Sequence, residues 1–159
     1  MTSERILLPR FIILSGLVIC LFLTSQPSLA VAGRAQSGGA SLEKLRNLAA
    51  TQHEIAVLLL QKKEFSKAAE EAAKIFELNW PVEQEPVLLK ELLFFSRHLT
   101  RQGQAAIALQ LVEPSEKRFK TNPSRIAICN EKGYLYKVTN QAEKALECFR
   151  EAQRLLKAP

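Results

Sequence analysis

Three times along the chain a small residue is followed twelve positions later by an alanine: Ala56 and Ala68, Ser96 and Ala108, Gly133 and Ala145. In two antiparallel helices joined by a tight turn, that offset brings both small side chains to the crossing point, where backbones approach only if no bulky group intervenes. Apolar residues at three- and four-residue steps surround each pair, and no alternating strand pattern competes. The chain is therefore expected to be all-α, with three helical hairpins at about 41–80, 86–120 and 124–157. The pairs start 40 and then 37 residues apart, while the spacing inside each hairpin is constant, so the extra length belongs between hairpins. Prolines mark both connections: Pro81 and Pro86 in the first, Pro114 and Pro123 in the second.

The last copy, Cys129-x2-Lys132-Gly133-x2-Tyr136 followed by Ala145-x3-Phe149 and Ala152, resembles the tetratricopeptide repeat. Gln52-x2-Ile55-Ala56-x2-Leu59 with Ala68-x3-Ala72, and Leu92-x2-Phe95-Ser96-x2-Leu99 with Ala108-x3-Val112, follow the same scheme. No copy has the family's tryptophan, and Lys132 stands where a leucine is usual. The resemblance covers residues 42 to 159 and implies antiparallel hairpins stacked as a short right-handed solenoid. Ala56, Ala68, Ser96, Ala108, Gly133, Tyr136, Ala145 and Phe149 would be its packing positions. It also implies a concave partner-binding face on the first helix of each hairpin: His53, Val57 and Leu60, then Lys90, Leu93, Arg97 and Arg101, then Asn130, Tyr134 and Lys137. Its cations suit a peptide with acidic residues or a free carboxylate, held by charge-assisted hydrogen bonds.

Local signals place the helix ends. Ser41 is the expected N-cap of the first helix, a turn falls near Lys63-Glu64, and the second helix stops at Asn79-Trp80-Pro81, where Trp80 seals the hairpin. The third helix runs from about Pro86 to Gln102 with Gly103 as its stop. Its Leu88-Leu89 and Leu92-Leu93-Phe94-Phe95 are too broad for one buried stripe, so this helix either lies between neighbours or shows some of that surface to a partner. The fourth, from Gln104, is expected to kink or break at Pro114 before a short turn to Phe119. The fifth follows Asn122-Pro123-Ser124, with Ser124 as its cap, and the sixth spans about Gln141 to Lys157. Lys144, Glu147, Glu151, Arg154 and Lys157 are expected to make this last helix polar enough to close the array by itself.

The first thirty residues decide the compartment. Arg5 and Arg10, the apolar run from Phe11 to Leu23, Pro27, and Ala30-Val31-Ala32 are the parts of a secretory signal peptide over 1–32, with cleavage expected after Ala32. The thirteen residues from Phe11 to Leu23 fall short of the ~20 that a bilayer span needs, although an uncleaved membrane anchor through 11–23 is the competing reading. Gly33, Ser37, Gly38 and Gly39 read as a flexible tether over 33–40, leaving 41–159 as one helical domain. The leader carries a net charge of +1, so +5 of the +6 belongs to the remainder; lysines and arginines interleaved with glutamates read as a solvated surface, with no nucleic-acid partner.

The chain contains no aspartate, which excludes EF-hand loops, aspartate dyads and Asp-based triads. His53 and His98 match no metal-binding spacing, and no phosphate loop, nucleophile elbow or haem site occurs. No catalytic residue, metal or cofactor is expected. Cys129 and Cys148 fall on the two helices of the last hairpin, and both a disulfide across it and two buried free thiols stand as readings. Together these features describe an exported, periplasmic or secreted, non-catalytic interaction module: an adaptor or accessory subunit for assembly of an envelope complex. A membrane-anchored assembly factor and a permanent structural subunit are the rivals.

Overall fold

In the computed structural model, which describes residues 36–157 and their side chains from 41 on, six helices follow one another: α1 (Gln36–Gln61), α2 (Phe65–Glu77), α3 (Glu85–Arg101), α4 (Ala105–Ser115), α5 (Asn122–Val138) and α6 (Ala142–Lys157). Single 3-10 turns, Val82–Gln84 and Glu116–Arg118, precede α3 and follow α4. There is no strand among the described residues. Helices α1 and α2, α3 and α4, and α5 and α6 pair as hairpins; α2 then packs on α4, and α4 and α3 on α5. The expected leader over 1–32 with its cleavage site, and the tether residues 33–35, lie outside the described residues. No helix among the described residues is long and apolar enough to cross a membrane.

The three hairpins turn in the same way. Lys63, Gly103 and Asn140 have φ of 62°, 75° and 60°, each at the end of a hairpin's first helix. In each turn the next residue donates its N–H five residues back: Glu64 to the Leu59 carbonyl at 2.9 Å, Gln104 to Leu99 at 2.9 Å, Gln141 to Tyr136 at 2.8 Å. This is the Schellman arrangement, which satisfies carbonyls that a helix end otherwise leaves unpaired. The carbonyls of Glu64, Gln104 and Gln141 then accept the N–H of Ala68, Ala108 and Ala145 at 2.9, 3.0 and 3.1 Å. The twelve-residue offset is therefore the length of one repeated turn plus one helical turn on either side. Only the first copy places a lysine in the left-handed region, where a Cβ is disfavoured. Lys63→Gly is expected to raise stability by about 1 kcal/mol, read as a higher urea midpoint.

All six small residues are buried, and Ala56, Ala68, Ser96 and Ala108 are wholly so. At Gly133 the reason for smallness is explicit: a Cβ there would lie 2.7 Å from Cε1 of Phe149, so the Phe149 ring rests directly on the α5 backbone. The main core gathers Ile75 and Phe76 of α2, Leu88, Leu92, Phe95 and Leu99 of α3, Leu111 and Val112 of α4, and Ile128 and Leu135 of α5. Steps of four, three and four residues along α3 turn one stripe inward.

Several boundaries depart from expectation. Ser41 lies inside α1, which begins at Gln36 and takes in most of the expected tether; Gly38 and Gly39 weaken a helix without ending one that is already propagating. Helix α4 carries Pro114 within its last turn and ends one residue later; the 3-10 turn then delivers Phe119 to the core. The cap of α5 is Thr121, and the expected Ser124 is a buried residue of the first turn whose Oγ lies 2.9 Å from Thr121 Oγ1 and donates to it, because the single Thr121 hydroxyl proton goes to Glu85. Cys129, buried, and Cys148, half-buried, are not joined in this structure. Burial, then the nearby Glu116 charge, raises the Cys129 thiol, and burial raises Cys148, disfavouring the thiolate that disulfide formation requires. Charged side chains cover only one flank of α6, leaving Leu146, Phe149 and Leu156 exposed.

Hairpins two and three are joined by carboxylates. Glu85 at the start of α3, only 2 % exposed, accepts the N–H of Lys120 at 2.6 Å, the N–H of Thr121 at 3.0 Å and the Thr121 hydroxyl at 2.7 Å. Burial raises its carboxyl, but these hydrogen bonds outweigh burial and hold it below the usual range. Glu131 accepts from Ser96 Oγ at 2.6 Å, the Tyr136 hydroxyl donates to Glu113 at 2.6 Å, and Lys132 donates to Glu116 at 2.8 Å. That ion pair explains a lysine at the position where the repeat pattern favours leucine.

Candidate functional cleft

Helix α1 meets α2 closely but stands off from α3, because the residues that it turns toward α3 include Ala49 and Ala50. The gap is a cleft of about 680 Å3. Ile75 of α2 and Trp80 of the connection contribute apolar surface on one side, Val87 and Leu88 of α3 on the other. Trp80 is held by its indole N–H, which donates to the Ile75 carbonyl at 2.7 Å. It serves both as the hairpin seal expected from sequence and as a wall of the cleft.

Polar contacts link α1 to α3 and to the 3-10 turn that precedes it, alongside this gap. Arg46 Nη2 donates to Gln84 Oε1 at 3.3 Å. Two turns further along α1, His53 Nδ1 pairs with Glu91 Oε1. A carboxylate can only accept, so this nitrogen carries the proton. The imidazole packs against Phe94 and Phe95, with both ring centroids at 5.4 Å, and the two phenyl rings meet edge to face at 5.1 Å. Offset and edge contacts of this kind are the favoured aromatic geometries. His53 thus acts as a spacer that sets how far α1 stands from α3.

The residues expected on the partner-binding face all lie on α1, α3 and α5, the first helices of their hairpins. Lys90, Arg97 and Arg101 are exposed on α3, with Leu93 half-buried; Asn130, Tyr134 and Lys137 are exposed on α5; His53 and Val57 are half-buried on α1. Leu60 is corrected: at 4 % exposure it is a core residue, because it sits one turn beyond Ala56 on the side of α1 that meets α2. Arg97 approaches Glu131 at 3.7 Å, joining the α3 cations to α5. Lys90 and Arg101 make no ion pair among the described residues. Lys90 follows the cleft residue Val87 by three positions, so the cationic row begins beside the apolar gap.

Sequence reasoning missed Val87, Glu91 and the second role of Trp80. The excess apolar breadth of α3 was the available signal, since Val87 and Phe94 are the exposed part of it. Among the described residues no group of three His, Cys, Asp or Glu side chains could hold a metal ion. Comparison with family models, with curated proteins and with solved structures finds no match to this chain.

Proposed function

We propose that the chain is a non-catalytic interaction module of tetratricopeptide-like hairpins, stacked as a short solenoid, that receives a segment of another protein along α1 and α3. The observation that carries this reading is the open apolar cleft lined by Ile75, Trp80, Val87 and Leu88 and continued by the exposed Lys90, Arg97 and Arg101. An apolar anchor fills such a gap, and acidic residues beside it meet the cations, the latter contributing mainly to specificity and association rate. Three identical turns, with small residues at each helix crossing, support the repeat assignment. The leader-like sequence over 1–32 supports a location outside the cytoplasm, where the module would serve as an adaptor or accessory subunit of an envelope or membrane-associated complex.

Trp80 is the sole tryptophan and lines the cleft, so its emission reports occupancy directly. With the partner recovered by co-purification from the native envelope fraction, binding is expected to shift that emission. Val87→Glu, at an exposed position, is expected to weaken affinity about 10-fold or more, by setting a charge against an apolar anchor. Arg97→Ala with Arg101→Ala is expected to weaken it several-fold and to flatten its salt dependence. Unchanged affinity in both variants overturns the proposal.

A further inference from the structure

Helix α6 carries a seam that the described residues leave largely in water, although the Phe149 ring leans on α5 at Gly133. Ala142, Leu146, Phe149, Gln153 and Leu156 follow one another at steps of four, three, four and three residues, the spacing that keeps side chains in line along one side of an α-helix. All five are exposed; the three large ones keep 54 %, 40 % and 67 % of their surface in water. Ala145, Ala152 and Leu155, one position away from members of the seam, are buried against α5, so α6 is apolar over a wider arc than its own hairpin uses. An uncovered apolar strip on the end of a helical stack marks an interaction surface.

The charges beside the seam select the occupant. Along this flank the first half of α6 is acidic, with Glu143 and Glu147, and the second half is basic, with Arg150, Arg154 and Lys157. Laid antiparallel, a second α6 sets Glu143 against the other copy's Lys157, and Glu147 against the other copy's Arg150, while Arg154 is already held by Glu151 of its own helix. A parallel arrangement sets like against like. Only the region around Arg150, close to the two-fold axis, brings two cations together. The exposed strip on α1, formed by Leu48, Ile55 and Leu58, has no such division, because that helix carries only Glu43, Lys44 and Arg46 near one end and Glu54 beyond them.

We infer that the chain pairs with a second copy of itself through antiparallel α6 helices, an isologous contact in which each residue is used twice. Helix α6 has 16 residues, about 24 Å of length, so the buried area is small and the dimer is weak and reversible. This contact lies on a different hairpin from the α1–α3 cleft and does not rest on the function proposed above.

Sedimentation equilibrium of the full chain tests it, with two charge-reversed variants, Glu143→Lys with Glu147→Lys, and Arg150→Glu with Lys157→Glu. The unmodified chain is expected to show a monomer–dimer equilibrium. Each variant alone is expected to need at least about 10-fold higher concentration to dimerise, and an equimolar mixture to recover association as a heterodimer. Leu146→Glu with Leu156→Glu, at exposed positions, is expected to abolish pairing with helix content by circular dichroism unchanged. A monomer at all concentrations, growth beyond a dimer, a mixture that stays monomeric, or a dimer that survives Leu146→Glu with Leu156→Glu overturns the inference. Partner affinity at the cleft should be the same in that last variant, so failure of one proposal leaves the other standing.

Discussion

Replacing Phe95 with alanine is expected to lower stability by about 3–5 kcal/mol, a large share of the 5–15 kcal/mol typical of a domain. Phe95 is among the largest fully buried side chains, so its removal costs both the transfer free energy of the ring and the cavity left behind. It also supports a chain of contacts. The Phe95 ring meets Phe94 edge to face and faces the His53 imidazole, which pairs with Glu91. Without it, His53 loses the platform that spaces α1 from α3, and the cleft should lose definition together with stability. Urea unfolding measures the first effect and Trp80 emission in the native state the second. A loss below 1 kcal/mol would mean that α1 and α4 close over the site, contradicting the packing described.

Glu85→Ala is expected to cost about 3 kcal/mol, since it leaves the Lys120 and Thr121 amides and the Thr121 hydroxyl without their acceptor. Glu85→Gln is expected to cost less, because the amide oxygen still accepts while its NH2 faces a donor. The same contact predicts an acid dependence. Its pKa in the folded protein is depressed below the ordinary 4.5, so the unfolded chain binds the proton more readily. The stabilisation is therefore fully present above about 4.5 and is lost as pH falls through the lower folded value. Half-buried carboxylates lowered by hydrogen bonds from basic side chains, Glu64 by Lys67, Glu71 by Lys74 and Glu151 by Arg154, act alike in parent and variant and cancel in the difference. Urea stability from pH 7 to 3 should show the gap between parent and Glu85→Gln narrowing toward acid. Parallel curves would remove Glu85 from the seam between hairpins two and three.

The helical elements were legible because their determinants are local. A three-to-four-residue apolar period, glycine or asparagine at a left-handed stop, and proline near a helix start act within one or two turns of chain. The twelve-residue pairing of small residues was legible for the same reason: the Schellman turn has a set length, so it writes itself into the sequence three times, at Lys63, Gly103 and Asn140. Ser41 and Ser124 misled because serine favours a cap without enforcing one. Further along, Thr121 with Glu85 from another hairpin decided where α5 begins.

The site was far less legible. Leu60 and Val57 carry the same kind of apolar signal, yet one is core and the other a half-buried flank, a difference set by how α1 rolls on α2. The cleft depends on the separation of α1 and α3, which follows from Ala49 and Ala50 meeting Val87 and Leu88 across a gap held by His53 and Glu91. Those residues lie 38 positions apart, and no periodic pattern couples them.

By itself, then, the sequence determined an all-helical chain, the three hairpins and the small residues on which they cross, because each follows from hydrogen bonding and side-chain volume within about a dozen residues. The tertiary structure decided which apolar residues stay in water, how Glu85 and Glu131 join separate hairpins, and that α1 stands off from α3 to leave a cleft. Those outcomes depend on which long-range contacts fill space first, and side chains distant in sequence settle that only when packed together.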